Sequence, residues 1–225
     1  MKIKTPIDRK SLKTHFTYHF WIYILVIVGC AFGWNLLYTM TAYRPPEDKR
    51  IDLYIQSSTA NQERVDAFLK RVWDAYVPDT ETVDSVLLAS SAQDYYSTMQ
   101  LTVYIMSQEG DIYLMNSSDF KSYASQGVFA ELQPYIDEGV LDVSGIDLSA
   151  GYVALINDEG IPEGERRLFG IPLFALNGFA AEMGLDNRDM IAGVTVFNGN
   201  EENVIAFLNG LLKTIKDAGT GTASL

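Results

Sequence analysis

The sequence predicts one membrane-spanning helix followed by an α/β domain, a mostly parallel sheet with helices on both faces. Three observations carry this prediction. The run from Thr14 to Tyr43 contains no Asp, Glu, Lys or Arg. From Ile51 onward, strand-like and helix-like segments alternate. The 225-residue chain has a formal net charge of −12, which favours solubility and disfavours binding to nucleic acid or anionic lipid.

The apolar stretch Phe20–Met40 is long enough to cross a bilayer once. A helix rises about 1.5 Å per residue, so roughly 20 residues span a hydrocarbon core of about 30 Å. Because soluble helices rarely continue this far without a charge, a membrane span is favoured over a buried core helix. Aromatic residues that match the two interfacial belts flank the stretch or lie near its ends: Tyr18, Trp21, Trp34, Tyr38 and Tyr43.

The charges before the span predict its orientation. Positive residues that flank a first span stay in the cytoplasm, so we expect the N-terminus inside and the remainder of the chain outside. A single acid, Asp8, accompanies the basic residues of this segment: Lys2, Lys4, Arg9, Lys10 and Lys13.

Two ways of processing the span remain open. A basic leader and an apolar run are also typical of a secretory signal peptide, and Ile27–Cys30 fits the loose lipobox of bacterial lipoproteins. The run stays apolar from Ala31 to Met40, which favours an uncleaved signal anchor. Either route tethers the same domain on the outer face. Cys30 is the sole cysteine, so no intramolecular disulfide can form.

The chain divides into five predicted parts. Pro45 and Pro46 indicate a semi-rigid linker after the span, and the small, polar residues at the C-terminus indicate a flexible tail. The parts are a basic cytoplasmic tail (1–15), a transmembrane anchor (16–43), a linker (44–50), the extracytoplasmic α/β domain (51–216) and the tail (217–225).

The first half of the domain follows a strand–helix rhythm that indicates a parallel sheet with right-handed crossovers. The predicted strands are Ile51–Ile55, Thr82–Leu88 and Asp111–Met115. The predicted helices cover about Asn61–Ala75 and Ala92–Met106, and a third ends at Ser125. Their N-caps are sought in Ser57–Thr59, Ser90–Ser91 and Ser117–Asp119. The second helix carries apolar residues at helical spacing: Tyr95, Met99, Val103 and Met106.

The second half of the domain is less regular. Short helical turns are expected over Phe129–Ile136 and Val140–Leu148, and Tyr152–Ile156 fits a helix or a strand. The remaining predicted elements are an acidic loop over Asn157–Glu165, strands over Arg167–Leu173 and Met190–Phe197, and a helix over Glu201–Lys216. The last helix has a buried stripe of Val204, Phe207, Leu208, Leu211 and Leu212.

The stretch Glu109–Ile136 resembles the third strand and following helix of extracellular solute-binding proteins of bacterial ABC importers, particularly the sugar-binding group. It has their Gly-Asp strand, short helix, glycine and Leu-x-Pro-Tyr-Ile segment in order. Arg167–Leu173 is similar to the strand that leads toward their hinge, and Asp186–Ile215 to the segment that completes their first lobe. The resemblance covers roughly Ile51–Ile215 and implies one solute-binding-protein-like lobe.

The length of the chain departs from this family. A full member has two α/β lobes and traps its ligand between them, whereas Phe174–Asn187 stands here where the second lobe would begin. A single lobe lacks half of the contacts that enclose a ligand.

Candidate binding residues follow from the predicted topology. In open parallel sheets, ligands sit beyond the carboxyl ends of the strands. The loops expected there offer these residues: Ser58, Asn61, Ser91, Tyr95, Asn116, Ser117, Phe174 and Asn177. The alternative is structural, with the three serines as helix caps and the aromatic residues in the core.

Catalysis is not expected. Both histidines, His15 and His19, precede or enter the span, so the outer domain has no Ser–His or Cys–His pair and no zinc site of the usual composition. We expect no cofactor and no metal.

The preferred function is a membrane-anchored solute-binding-like protein that contacts a sugar or docks on an ABC importer permease. The alternatives are a structural or regulatory protein that associates with another chain through the truncated lobe, and a shortened remnant without function.

Overall fold

The computed structural model describes residues 9–43, 45–88, 95–157, 159–195 and 199–221. The chain divides into two compact units, residues 1–44 and residues 45–225. The described part of the first unit contains the helix α1 (Arg9–Thr41). Its segment Phe20–Thr41 has a mean hydropathy of 2.0 and is not buried within the chain. By length and composition, it is the single helix of the described residues that could cross a membrane.

The second unit is the α/β domain. Its strands are β1 (Arg50–Gln56), β2 (Thr82–Leu88), β3 (Ile112–Asn116), β4 (Tyr152–Ile156), β5 (Pro162–Leu168), β6 (Gly170–Pro172) and β7 (Met190–Val194). Its helices are α2 (Gln62–Tyr76), α3 (Tyr95–Met106), α4 (Ser117–Ser125), α5 (Gln133–Asp137), α6 (Gly178–Met183) and α7 (Glu201–Gly221). Short 3-10 turns cover Glu47–Lys49 and Ser149–Gly151.

Five strands form the main sheet in the order β2-β1-β3-β7-β6. β1 pairs in parallel with β2 and with β3. β7 pairs antiparallel with β3 and with β6. Every strand of this sheet except β7 therefore runs in the same direction, which confirms the predicted mostly parallel sheet.

Helices cover both faces of the sheet. Successive side chains of a strand point to opposite faces, and β3 shows this directly. Ile112 and Leu114 belong to the core that α2, α6 and α7 cover, whereas Tyr113 and Met115 belong to the core that α3 and α4 cover. Because the sheet is covered on both faces, the central strands β3 and β7 have apolar residues at nearly every position.

The helix α7 confirms the sequence prediction most closely. All five residues of its predicted stripe are buried: Val204, Phe207, Leu208, Leu211 and Leu212. The helix continues past Lys216 to Gly221.

The region from β4 to β6 differs from the sequence prediction. Pro162–Glu165 belongs to a strand and not to the acidic loop, because β4 and β5 form an antiparallel two-stranded hairpin. Leu168 ends that hairpin, and Gly170 begins a separate strand of the main sheet. The Asn157 side chain closes the turn, since its Oδ1 accepts bonds from the N–H of Glu159 at 3.1 Å and of Ile161 at 3.0 Å.

The buried face of α3 also differs from the prediction. The helix packs on the sheet through Leu101 and Ile105, which are 1% and 5% exposed. Met99, Val103 and Met106 are 54%, 52% and 80% exposed. Because apolar residues lie on every side of this uncharged helix, their spacing does not indicate which face is buried. The predicted cap Ser90–Ser91 lies outside the described residues.

The segment Phe174–Asn187 forms a helix that the sequence did not predict. Four of its apolar side chains, Leu176, Phe179, Met183 and Leu185, are buried in the same core as α2 and α7. Polar contacts fix α6 from outside that core: the Arg64 guanidinium donates to the carbonyl of Ala181, and Arg71 pairs with Glu182. The Phe174–Asn187 segment therefore completes the core that α2 and α7 form.

Candidate functional site

The carboxyl ends of the parallel strands lie at one edge of the sheet, termed here the carboxyl edge, and β7 begins at the same edge. Hydrogen bonds join the loops that meet there. The Ser117 N–H donates to the Asp189 carbonyl at 3.0 Å, and the Asp186 N–H donates to Thr59 Oγ1 at 3.3 Å. Asn187 Nδ2 donates to the Leu176 carbonyl at 3.0 Å. The loops after β1, β3 and β6 thus form one connected surface.

A partly buried amide–carboxylate network lies at this edge, and Gln56 is its buried member. Gln56 Oε1 accepts bonds from the backbone N–H and the Nδ2 of Asn116, both at 3.0 Å. Gln56 Nε2 and Asn116 Nδ2 each donate to Asp119 Oδ2 at 2.8 Å. Because these groups satisfy one another, the network fixes the ends of β1 and β3 and holds the loops in place.

Two of the predicted binding residues are helix caps. Asn61 Oδ1 accepts the N–H of Arg64 at 3.1 Å at the start of α2, and Asn116 Oδ1 accepts the N–H of Asp119 at 2.8 Å at the start of α4. The predicted caps Ser57–Thr59 and Ser117–Asp119 are therefore wrong. The Ser57 hydroxyl instead accepts N–H bonds within its own turn, from Thr59 and Ala60 at 3.1 Å.

Of four further predicted residues, one has a side chain that is hydrogen-bonded within the protein, and three have accessible side chains. The Ser117 hydroxyl donates to the Asp189 carboxylate. Ser58 and Asn177 are exposed, and the Asn177 side chain makes no capping hydrogen bond to α6. Phe174 is 38% exposed and is not a core residue. These three residues are the accessible part of the predicted site.

The last two predicted residues fall on less fully described positions. Ser91 lies outside the described residues. Tyr95 is the first residue that the structure describes in α3, but its side chain is not part of that description.

A charged corner that is not among the predicted binding residues lies beside this surface. The Arg188 guanidinium donates to Asp186 Oδ1 at 2.8 Å, and these hydrogen bonds lower the pKa of Asp186 to about 2. The sequence signal for this ion pair is an aspartate and an arginine two residues apart. The two groups leave a fixed, exposed ion pair next to Asn187, whose side chain is buried.

A groove of about 360 Å³ lies elsewhere, between α2 and β2. None of the predicted residues lines it; its lining residues are Gln62, Asp66, Lys70, Trp73, Val83, Asp84 and Ser85. Inside the groove the Ser85 hydroxyl donates to Asp66 Oδ1 at 2.8 Å. The groove is therefore partly polar and separate from the three accessible residues.

Two carboxylates are withdrawn from solvent at the amino ends of the strands. Asp111 is 3% exposed, and its Oδ2 accepts the N–H of Asp52 at 2.8 Å. Burial raises the pKa of Asp52, the Asp111 and Asp84 carboxylates raise it further, and Arg50 opposes the shift. The pair joins β1 to β3 on the side opposite the carboxyl edge. Within the described ranges, no three His, Cys, Asp or Glu side chains cluster as a metal site.

Comparison with known proteins gives a likeness of fold. No family model and no curated protein match the sequence. One similar solved structure is an extracellular solute-binding protein family 1 from Alicyclobacillus acidocaldarius, with 19% identity and a TM-score of 0.41. Another is an ABC substrate-binding protein from Listeria monocytogenes in complex with cycloalternan, with 21% identity and a TM-score of 0.36.

Both similar structures are solute-binding proteins, the class that the sequence resembles, and both are far longer. The matches cover 58% and 54% of this chain but 28% of each of those chains. The chain therefore spans less than a third of the length of either.

Proposed function

We propose that this protein is a membrane-anchored, extracytoplasmic solute-binding-like domain whose carboxyl edge contacts a carbohydrate. The observation that carries the proposal is the exposed Phe174 on a rigid edge that also presents the Ser58 hydroxyl and the Asn177 amide. Sugars present apolar C–H faces and a rim of hydroxyls, so an exposed ring and polar groups at the same edge of the sheet suit them. The network around Gln56 keeps this edge in place before any ligand arrives.

The anchor in this proposal is Phe20–Thr41, with the N-terminus in the cytoplasm and the α/β domain outside. The length and hydropathy of the helix support a single span. The basic residues before it support the orientation. The partner that receives the solute is an ABC importer permease, as the resemblance of Glu109–Ile136 implies.

The affinity expected from one lobe is low. A ligand on an open edge keeps much of its surface in water, whereas a pocket buries most of it. We expect dissociation constants on the order of a millimolar, equivalent to about −4 kcal/mol. Such an affinity suits local capture beside a membrane partner.

Titration of the full chain in detergent with a panel of mono- and oligosaccharides tests the proposal. We expect saturable binding of at least one saccharide, and the double variant Phe174→Ala/Asn177→Ala should lower its affinity by about tenfold, or about 1.4 kcal/mol. The measurement is calorimetry or ligand-observed NMR, both of which detect weak binding.

Val140→Ala is the control, because Val140 is 42% exposed but lies on the loop that follows α5. It should leave the affinity unchanged. A panel without any saturable response, or an affinity that the double variant does not alter, contradicts the proposal; the first result is also what a remnant without function predicts.

A further inference from the structure

The two outermost strands of the main sheet, β6 and β2, are protected unequally against pairing with another strand. β6 is a three-residue edge strand whose residues are all buried. The turn Ser149–Gly151 lies against it, and the Phe169 N–H donates to the Gly151 carbonyl at 3.0 Å. β2, at the other edge, has seven residues, and all but Leu88 are at least partly exposed. Among the described residues, no strand pairs with its outer side.

The β2 edge has few of the usual features that prevent strand addition. Natural edge strands are short, bulged, or interrupted by proline and lysine. β2 pairs with β1 along its whole length without a bulge, contains no proline, and carries one charged residue, Asp84. The Leu88 carbonyl accepts the Ser57 N–H at 2.9 Å and so faces β1. Alternation along the strand then turns the backbone groups of Leu87 and Ser85 outward.

An apolar stripe on α3 flanks this edge. Met99, Val103 and Met106 are each more than half exposed, and α3 packs against β2. The segment from Tyr95 to Gln108 contains no charged residue. In a chain of net charge −12, most of the surface repels a second copy, whereas this neutral stripe does not. Exposed apolar residues grouped on one helix face are typical of a contact surface.

We propose that β2 pairs antiparallel with β2 of a second copy of this chain. A twofold axis is the common way in which identical chains close an interface, and it makes adjacent strands of one sheet antiparallel. The register centred on Ser85 is self-complementary. Val83 lies opposite Leu87 of the second copy, and Asp84 lies opposite Val86, so the two aspartates do not face each other.

The pairing joins the two sheets into one and brings the two α3 stripes together on the same face. It satisfies the outward backbone groups of β2 and buries apolar surface that one copy leaves in water. The inference does not depend on solute binding. It uses the proposed anchor only because two anchored copies share one membrane plane, which raises their effective concentration.

Disulfide cross-linking in membranes tests the pairing in the full chain. Cys30→Ser removes the native thiol, and Ser85→Cys places one thiol on the proposed twofold axis. Residues opposite each other in a hydrogen-bonded antiparallel pair have Cα atoms about 5.5 Å apart, within the range for a disulfide. We expect mild oxidation to give a reducible dimer.

Ser122→Cys in the same background is the matched control, because Ser122 is an exposed serine on α4. It should give at least tenfold less dimer than Ser85→Cys. Adding Val103→Glu to the Ser85→Cys chain should lower the dimer yield about tenfold, whereas Ser122→Glu should not change it.

Each alternative outcome overturns the inference. If Ser85→Cys stays monomeric, or dimerises no more than Ser122→Cys, the β2 edge is not paired with itself. If Val103→Glu leaves the yield unchanged while circular dichroism shows an intact fold, the α3 stripe is not part of the contact. Saccharide titration of the same chain separates the two proposals, because dimer formation without a saccharide response contradicts the proposed function alone.

Discussion

Phe179→Ala is expected to lower the free energy of unfolding by about 3–5 kcal/mol, the usual cost of truncating a buried phenylalanine. Phe179 has no exposed surface and lies in the core that α2 and α7 share with α6. The cost is large because the cavity would open between α6 and two long helices that cannot easily collapse around it. Urea unfolding of the full chain in detergent measures it, with Trp73 fluorescence in a Trp21→Phe/Trp34→Phe background.

The same segment provides a matched control for this substitution. Phe174 is 38% exposed, and Phe174→Ala should cost less than about 1 kcal/mol. If Phe179→Ala cost no more than Phe174→Ala, α6 would not be part of the cooperative core. The domain would then resemble a lobe with an open end.

Gly178→Ala is expected to destabilise the domain by about 1–3 kcal/mol, the range for inserting a methyl group into a packed contact. A Cβ at this position would lie against the backbone carbonyl of Ile215, much closer than an ordinary contact allows. Because the neighbour is backbone, no side-chain rotation relieves the clash, and α6 must move away from α7. Urea unfolding under the same conditions measures the effect.

Gly219→Ala, in contrast, should stabilise the domain. A Cβ there meets the nearest atom, the Gly178 nitrogen, at 3.5 Å, an ordinary contact. Gly219 lies within α7, where replacing glycine by alanine favours the helix by up to about 1 kcal/mol. Equal destabilisation by both substitutions would show that the α6–α7 contact is not specific.

The elements that the sequence predicted well have strong and unambiguous periodicity. α7 repeats its apolar residues on one face, and the alternation of β1 and β3 with helices matches a parallel sheet. Each of these elements buries its apolar residues in the two main cores.

The elements that were not predicted correctly from the sequence bury few side chains, carry apolar residues on buried and exposed sides alike, or are very short. Six of the seven residues of β5 are exposed, so the strand has no buried apolar alternation to show. α3 carries apolar residues on its buried and exposed sides alike, so its period did not reveal which side faces the sheet. α6 has six residues, fewer than two helical turns, and its core contacts depend on α2 and α7.

The candidate site was predicted in position but not in detail. The rule that ligands lie at the carboxyl ends of parallel strands located the edge without knowledge of any contact. Which asparagine caps a helix depends on where that helix begins, and that boundary is the least certain part of a sequence prediction. Asn61 and Asn116 were therefore chosen as binding residues although their side chains serve as caps.

The closed core bears on the expectation that the chain forms a single lobe. In the Phe174–Asn187 segment the larger apolar side chains other than Phe174 are buried: Leu176, Phe179, Met183 and Leu185. Of the predicted binding residues, Ser58, Phe174 and Asn177 are accessible. Under the proposed function, this arrangement favours local contact with a solute over shuttling between a free and a docked state.

Thiol labelling in intact protoplasts tests the central claim, an anchored domain that presents its carboxyl edge outside the cell. In a Cys30→Ser chain, Asn177→Cys should react with a membrane-impermeant maleimide without permeabilisation, because Asn177 is exposed at that edge. Lys4→Cys, before the span, should react only after permeabilisation. The opposite pattern, or an Asn177→Cys chain that is recovered unlabelled until the membrane is opened, would contradict the claim.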